Sequence, residues 1–248
     1  MAVVICARAA VTSLNRVAAK QYPQEDYSRP PGSIEVVLVR HGASEAAVEG
    51  RPFELLEGQA DPALSPAGER QARAVATHLA REPLAALYVT PLRRTAQTAA
   101  PLAAATGLEP VVVPELREVH LGELDGGAFR IAVRRRDPVV AQVFRAQRWD
   151  VIPGAETMEA FAERTRAGLE RMVEGLQPGA TVGAVVHGGV IGELCRQASD
   201  SRPFAFVHAD NGSLTRLVLL PEGHWWVRSF NEGAHLRVPA PSARQHLS

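Results

Sequence analysis

The chain has 248 residues, of which 46% are apolar, which suits a globular protein with one large α/β domain and a sizeable core. Its 27 basic and 27 acidic side chains balance, which argues against the broad positive field that nucleic acid or an anionic membrane would require. The longest apolar runs are far too short to cross a bilayer, so a membrane-spanning protein is not expected.

The two cysteines, Cys6 and Cys195, have neither the spacing of a disulfide framework nor that of a zinc site. Disulfides form in oxidising compartments, so this sparse use of cysteine favours a reducing, cytoplasmic location. We expect no resident metal and no cofactor.

The first 33 residues differ from the rest because Ala2 to Ala19 is rich in Ala and Val and lacks acidic side chains. Arg8 interrupts the apolar stretch that a secretory signal needs. A short helix packed on the domain and an extension ahead of the fold both stay open, with SRPPG at 28–32 as a linker. We predict an extension at 1–33, one domain at 34–236 and a tail at 237–248.

The first predicted element is a strand at Ile34 to Val39 (IEVVLV), whose nearly continuous β-branched run is typical of a strand buried on both faces of a parallel sheet. It ends abruptly at Arg40, His41 and Gly42. The polar triplet therefore lies at the carboxyl end of a buried strand.

Two helices are predicted next, each from a hydroxyl residue followed by proline. Ser65 would cap a helix over 66–79, and after a strand at 84–89, Thr90 would cap a helix that ends at Gly107. The remaining predicted elements are a strand at 109–113, an irregular loop at 114–127, helices at 138–148 and 156–176, a strand at 181–186, a helix at 190–198, and a hairpin of 214–220 with 225–230.

This alternation of strands and helices predicts an α/β fold, a three-layer αβα sandwich with a mainly parallel sheet. Ligands bind at the carboxyl ends of the strands in such sheets. The strand at 181–186 also ends in a histidine and a glycine, His187 and Gly188, as the first strand does at His41. A single His-Gly after a strand is often structural, but the pair predicts an anion site, with amides at the start of the following helix as donors.

The sequence VLVRHG at 37–42 resembles the signature of the histidine phosphatase superfamily, also called the phosphoglycerate mutase-like family. Further matching stretches follow in order: LSPAGERQA at 64–72, TPLRRTAQT at 90–98, Leu116-Arg117-Glu118 with Gly122, and VVHGG at 185–189. Thr90 and Thr95 are conservative departures from the family pattern. The resemblance covers about 34–219 and implies the phosphoglycerate mutase-like fold.

The resemblance also implies roles for individual residues. His41 would be the nucleophile that forms phosphohistidine, and His187 would donate to the phosphate from the opposite side. Arg40 and Arg94 would grip the phosphoryl oxygens, together with Gly188 at the helix start.

Glu118 would protonate the leaving oxygen and later accept a proton from the hydrolytic water. A salt bridge between Glu118 and Arg117 or another arginine is the alternative. These groups would act on a small phosphorylated metabolite without a metal, and a homo-oligomer stays open.

Other side chains are weaker candidates. Arg130 with Arg134–Arg136 could bind a charged group of the substrate or form a solvated helix face. His120 and His208 could border the pocket or lie in solvent.

The family divides into phosphatases and phosphoglycerate mutases. Ala43, Ala47 and Gly189 stand where mutases carry polar side chains, and the long insertion that covers a mutase site is missing here. The sequence therefore favours a hydrolase, with a cofactor-dependent phosphoglycerate mutase as the alternative and a catalytically silent phosphoester-binding module as a further one.

Overall fold

One six-stranded sheet organises the computed structural model, which describes residues 20–237. Its strands are β1 (Ile34–Arg40), β4 (Leu84–Val89), β5 (Pro110–Val112), β6 (Thr181–Val186), β7 (Leu214–Leu219) and β8 (Trp225–Glu232), and a separate short ribbon joins β2 (Leu55–Leu56) to β3 (Gln59–Ala60). The order in the sheet is β5-β4-β6-β1-β7-β8. The first four strands in that order are parallel, β7 runs antiparallel to β1, and β8 runs antiparallel to β7.

Helices cover both faces of this sheet. They are α1 (Pro66–Leu79), α2 (Arg93–Thr106), α3 (Ala128–Arg135), α4 (Pro138–Ala146), α5 (Met158–Val173) and α6 (Gly188–Ser199). Val37 and Val39 of β1 pack with α1 and α2, whereas Val36 and Leu38 pack with α5 and α6. Because a strand presents alternate side chains to opposite faces, a strand covered on both sides must be apolar throughout. The predicted three-layer sandwich is confirmed.

A hydroxyl residue was predicted to cap a helix at Ser65 and at Thr90, and only the prediction for Ser65 is confirmed. Ser65 caps α1 as predicted, since its Oγ accepts a hydrogen bond from the Gly68 amide at 3.2 Å. The prediction for Thr90 was wrong: α2 begins at Arg93, after Leu92, and has no side-chain cap. The Thr90 hydroxyl instead contacts His187, which is 97 residues away in the sequence.

The helix α3 was not predicted as an element, because its residues lie between the loop predicted at 114–127 and the helix predicted at 138–148. Its only fully buried side chain is Ala132, so a strong apolar stripe is missing from the sequence.

The segment before β1 contacts the domain. Arg29 Nη1 donates to the Ala180 carbonyl at 3.2 Å and to Thr181 Oγ1 at 2.9 Å, and Ser33 is fully buried. The residues predicted to form a linker are therefore anchored at 29–33. The predicted helix within 2–19 and nearly all of the tail fall outside the described residues. None of the helices within 20–237 has the length and apolarity needed to cross a membrane.

Candidate active site

The two histidines lie side by side because β1 and β6 are adjacent and parallel, with Arg40 in register with Val186. The ring centroids of His41 and His187 are 5.2 Å apart, with planes inclined at 62°. His41 is 5% exposed and His187 is completely buried. The carboxyl ends of β1 and β6 therefore lie together, as the sequence predicts.

Hydrogen bonding fixes the tautomer of His41. Its Nδ1 lies 2.8 Å from the Gly42 carbonyl oxygen, which can only accept, so Nδ1 carries the proton. Burial, followed by the charges of Arg94 and Arg40, holds the pKa of His41 well below its usual value. The ring is therefore neutral, and Nε2 presents a lone pair to Arg94 Nε, which donates to it at 3.3 Å.

The backbone around His41 requires two glycines. A Cβ on Gly42 would lie 2.5 Å from the Gly68 carbonyl oxygen, and a Cβ on Gly68 would lie 2.0 Å from the Ala43 carbonyl oxygen. Neither contact can be relieved by a side-chain rotation, because backbone atoms meet backbone atoms. The first turn of α1 thus presses directly on the loop that carries His41.

His187 is held from the other side. Its Nε2 lies 2.9 Å from Thr90 Oγ1, while Nδ1 is buried and has no hydrogen-bond partner among the described residues. Burial is the largest cause that puts the pKa of His187 well below its usual value, and the charges of Arg94 and His41 act in the same direction. A buried polar nitrogen without a partner is costly, and an anion oxygen would satisfy it.

A buried arginine, Arg94, and a partly buried one, Arg40, supply the positive charge. Arg94 is 6% exposed, donates from Nη1 to the Ala60 carbonyl at 2.7 Å, and has its pKa lowered by burial to about 10, so it remains protonated at neutral pH. Arg40 donates to the Ala209 carbonyl, and its Nε is buried and has no hydrogen-bond partner within residues 20–237. One buried cation and one partly buried cation beside two neutral imidazoles form a site that favours a dianion.

Glu118 is anchored to the start of α6. One carboxylate oxygen accepts from the Gly189 amide at 3.2 Å and the other from the Val119 amide at 3.0 Å. The Gly189 amide, which the sequence suggested as an anion donor, is thus engaged by Glu118. The alternative ion pair with Arg117 does not form, because Arg117 pairs with Glu57.

A pocket of about 400 Å³ opens onto these groups. Arg40, Arg94, Glu118 and Gly188 line one end of it, and Arg94 connects it to the buried His41 ring. Its other lining side chains are largely apolar. They come from the segment 53–62 around the β2–β3 ribbon, from the loop at 119–127, from α3 and α4, and from the segments after α4 and α6.

The sequence profile of the histidine phosphatase superfamily (branch 1) matches residues 36–233. The protein belongs to this superfamily. The chain is 31% identical to a probable phosphoglycerate mutase, GpmB, of Yersinia enterocolitica, over 84% of this chain and 97% of the relative. It is 30% identical to a metal-independent phosphoserine phosphatase of Arabidopsis thaliana, over 86% and 87% of the two chains.

The fold of this histidine phosphatase superfamily member is similar to that of a mycobacterial glucosyl-3-phosphoglycerate phosphatase. The TM-score is 0.67 at 26% identity, over 81% of this chain and 99% of that one. The resemblance noted in the sequence is therefore confirmed at the level of family and fold.

Some of the weaker candidates line the pocket and others do not. Arg130 lines the pocket, and so does His208, whereas Arg134–Arg136 are exposed and do not. The pocket walls and the charge of Arg40 lower the pKa of Arg130. His120 bonds the Gly122 amide through Nδ1 at 3.2 Å and does not line the pocket. The described residues contain no group of three or more His, Cys, Asp or Glu placed to hold a metal.

Proposed function

We propose that this protein is a phosphomonoester hydrolase that works without a metal and forms a phosphohistidine on His41. The observation that carries the proposal is the state of the His41 ring, which is neutral, has its Nδ1 proton on the Gly42 carbonyl, and directs the Nε2 lone pair toward Arg94. A neutral imidazole with an unprotonated nitrogen is the form that attacks phosphorus. The phosphatase named among its relatives is described as metal-independent, which supports the same chemistry.

In the first half-reaction, Arg40 and Arg94 would hold the phosphoryl oxygens while His41 Nε2 forms a bond to phosphorus and the bond to the leaving oxygen breaks. Glu118, which lines the pocket beside Arg94, would give its proton to that oxygen. The positive charge that develops on the His41 ring is stabilised by the hydrogen bond from Nδ1 to Gly42.

In the second half-reaction, Glu118 would accept a proton from water as the water oxygen attacks phosphorus and the bond to Nε2 breaks. A bound dianion raises the pKa of His187, because a nearby negative charge favours the protonated ring. His187 would then donate from Nδ1, the nitrogen that has no partner in the described part of the chain. Inorganic phosphate leaves, and His41 returns to its neutral form.

A phosphoglycerate mutase is the second candidate, favoured by the similarity to GpmB. One contact argues against it. A Cβ on Gly189 would lie 2.4 Å from Glu118 Oε1, so the asparagine expected at this position in a mutase would displace the carboxylate. Hydrolysis is therefore the better supported activity.

The test is turnover of 4-nitrophenyl phosphate in EDTA by the wild type, by His41→Ala and by a matched control, His224→Ala. His224 is exposed in the turn between β7 and β8, far from the sheet end that carries the site. We expect activity in the wild type and the control and none in His41→Ala. Unchanged turnover in His41→Ala would refute the assigned nucleophile.

A second assay separates the three candidate functions. With 3-phosphoglycerate and 2,3-bisphosphoglycerate, a hydrolase releases phosphate, whereas a mutase forms 2-phosphoglycerate rapidly. A silent binding module would bind phosphate but form no phosphohistidine, which an acid-free quench detects.

The substrate would be a small phosphorylated metabolite, and the site would need no nucleic acid and no membrane. We further infer a cytoplasmic location, which the free and buried Cys195 supports. The domain bounds at 34–236 remain a prediction, which limited proteolysis would test. A homo-oligomer also remains a prediction, which light scattering would test.

A further inference from the structure

The pocket has a second half that the phosphoryl group would not occupy. Apart from Arg40, Arg94, Glu118 and the glycines of α6, its lining is dominated by large apolar side chains. We call five of them the apolar wall: Phe53, Phe129, Val133, Phe144 and Trp149. They come from the loop before β2, from α3 and α4, and from the turn after α4.

Contacts among the rings hold the apolar wall in place. Phe129 meets Trp149 edge to face at 5.9 Å between ring centroids, and Trp149 packs on Phe204 at 4.7 Å. Phe204 also contacts Phe144 at 6.0 Å, and the His208 ring stacks on Phe144 at the same distance. Interlocked rings of this kind form a preorganised surface.

Parts of this wall are exposed although they are apolar. Val133 is 45% exposed and Phe144 is 39% exposed, and both face the pocket. Apolar side chains grouped in a concave site are typical of a surface that binds an apolar group. The wall is continuous with the phosphate-binding end, so its occupant is the part of the ester that carries the phosphate.

Two charged groups of the same half, Asp125 and Arg130, make hydrogen bonds within the protein. The Asp125 carboxylate accepts hydrogen bonds from the amides of Ala60, Leu121 and Gly126. Arg130 donates to Ser44 Oγ at 2.7 Å and to the Glu45 carbonyl at 2.9 Å. These contacts reduce the number of donors and acceptors that could recognise the hydroxyl groups of a sugar.

We infer that the substrate class is the phosphate monoester of an alcohol that carries an apolar ring, with the ring against the apolar wall and the phosphate between Arg40 and Arg94. This inference rests on the proposed phosphatase activity and specifies its leaving group. Burying the ring removes apolar surface of both partners from water, which a polar leaving group of similar size would not do.

The experiment compares two esters with primary alkoxide leaving groups, 2-phenylethyl phosphate and glycerol 1-phosphate, so that leaving-group reactivity does not produce the preference. We expect kcat/KM to favour 2-phenylethyl phosphate by about tenfold or more, as a hydrophobic pocket can discriminate. Hydrolysis of both esters with equal rates, or a preference for glycerol 1-phosphate or 3-phosphoglycerate, would overturn the substrate class alone. No hydrolysis of either ester and no phosphohistidine would overturn the proposed function itself, and with it this inference.

A matched pair of variants places the preference at the wall. Val133→Asn should lower the ratio of the two kcat/KM values by roughly fivefold, because it puts an amide where the ring would pack. Val111→Asn makes the same change on the edge strand β5, where Val111 is 52% exposed and outside the pocket, and should leave the ratio as in the wild type. An unchanged ratio in Val133→Asn would contradict the assignment.

Discussion

Arg94 Nε lies 3.3 Å from His41 Nε2, on the ring nitrogen opposite the one that bonds the Gly42 carbonyl. The same cation therefore disfavours protonation of the ring and stands where a phosphoryl oxygen would bind. The proposed nucleophile and a proposed anion-binding group are thus brought together by one contact between a strand end and α2.

The first prediction concerns the shape of the Arg94 cation. Arg94→Lys keeps the charge but loses the planar fork that matches two phosphoryl oxygens, so kcat/KM should fall by about 100-fold or more. Steady-state hydrolysis of 4-nitrophenyl phosphate measures this. Arg93→Lys, which makes the same change at an exposed neighbour, should stay close to wild type; equal losses in the two variants would mean that the fork of Arg94 is not used.

The second prediction concerns the support of His187 by Thr90. Thr90→Val keeps the shape and removes the hydroxyl bonded to His187 Nε2, which leaves a second buried nitrogen unpaired and should cost about 1–3 kcal/mol of stability. The rate should fall about tenfold if the hydroxyl also orients the ring for catalysis. Urea unfolding and kcat report the two effects. Thr90→Ser retains the hydroxyl and should recover both; a fully active Thr90→Val would show that the contact does not orient His187.

The third prediction concerns pH. The pKa values of both His41 and His187 are lowered well below 6.5 in the folded protein, so below about pH 6.5 the unfolded chain binds protons that the folded protein does not. The free energy of unfolding is then at its full value above this pH and falls as the pH is lowered through it.

Between pH 7.5 and 5.5 each buried histidine should contribute roughly 1 kcal/mol to that fall. Urea unfolding in a phosphate-free buffer measures it, because a bound anion would raise both pKa values. The double variant His41→Gln/His187→Gln should lose less stability over this range than the wild type does. Identical losses would show that the two rings are not kept neutral by the fold.

The fourth prediction concerns the contact between Gly189 and Glu118. Gly189→Ala should reduce kcat by about 100-fold, because the added Cβ displaces a carboxylate that acts in proton transfer. The loss should be absent when Glu118→Gln is already present, since both changes would act through the same group. Additive losses in this double-mutant cycle would indicate that Gly189 acts by another route.

Much of the fold could be predicted because its signals are local. The apolar run at Ile34 and the pair Ser65-Pro66 determine a buried strand and a capped helix without reference to distant residues. The convergence of His41 and His187 followed from one general rule about the carboxyl ends of parallel strands.

The features that the sequence did not predict depend on contacts between distant parts of the chain. The Thr90 hydroxyl was assigned to a helix cap, but its partner is a histidine on another strand, which spacing in the sequence does not reveal. The apolar wall could not be predicted either, because Phe53, Phe129 and Phe144 belong to separate segments with no common periodicity. Arg130 was grouped with Arg134–Arg136, yet on a helix only some of these positions face the pocket.

Glu118 belongs to an irregular loop, but its carboxylate is tied to the backbone of the first turn of α6, directly after His187. The proposed proton carrier and the second histidine therefore share one rigid support and would shift together if that helix moved. One displacement of α6 would therefore disturb both the proposed proton transfer to the leaving oxygen and the proposed contact of the phosphate with His187. The surface loop at Glu118 is held as firmly as the helix that anchors it.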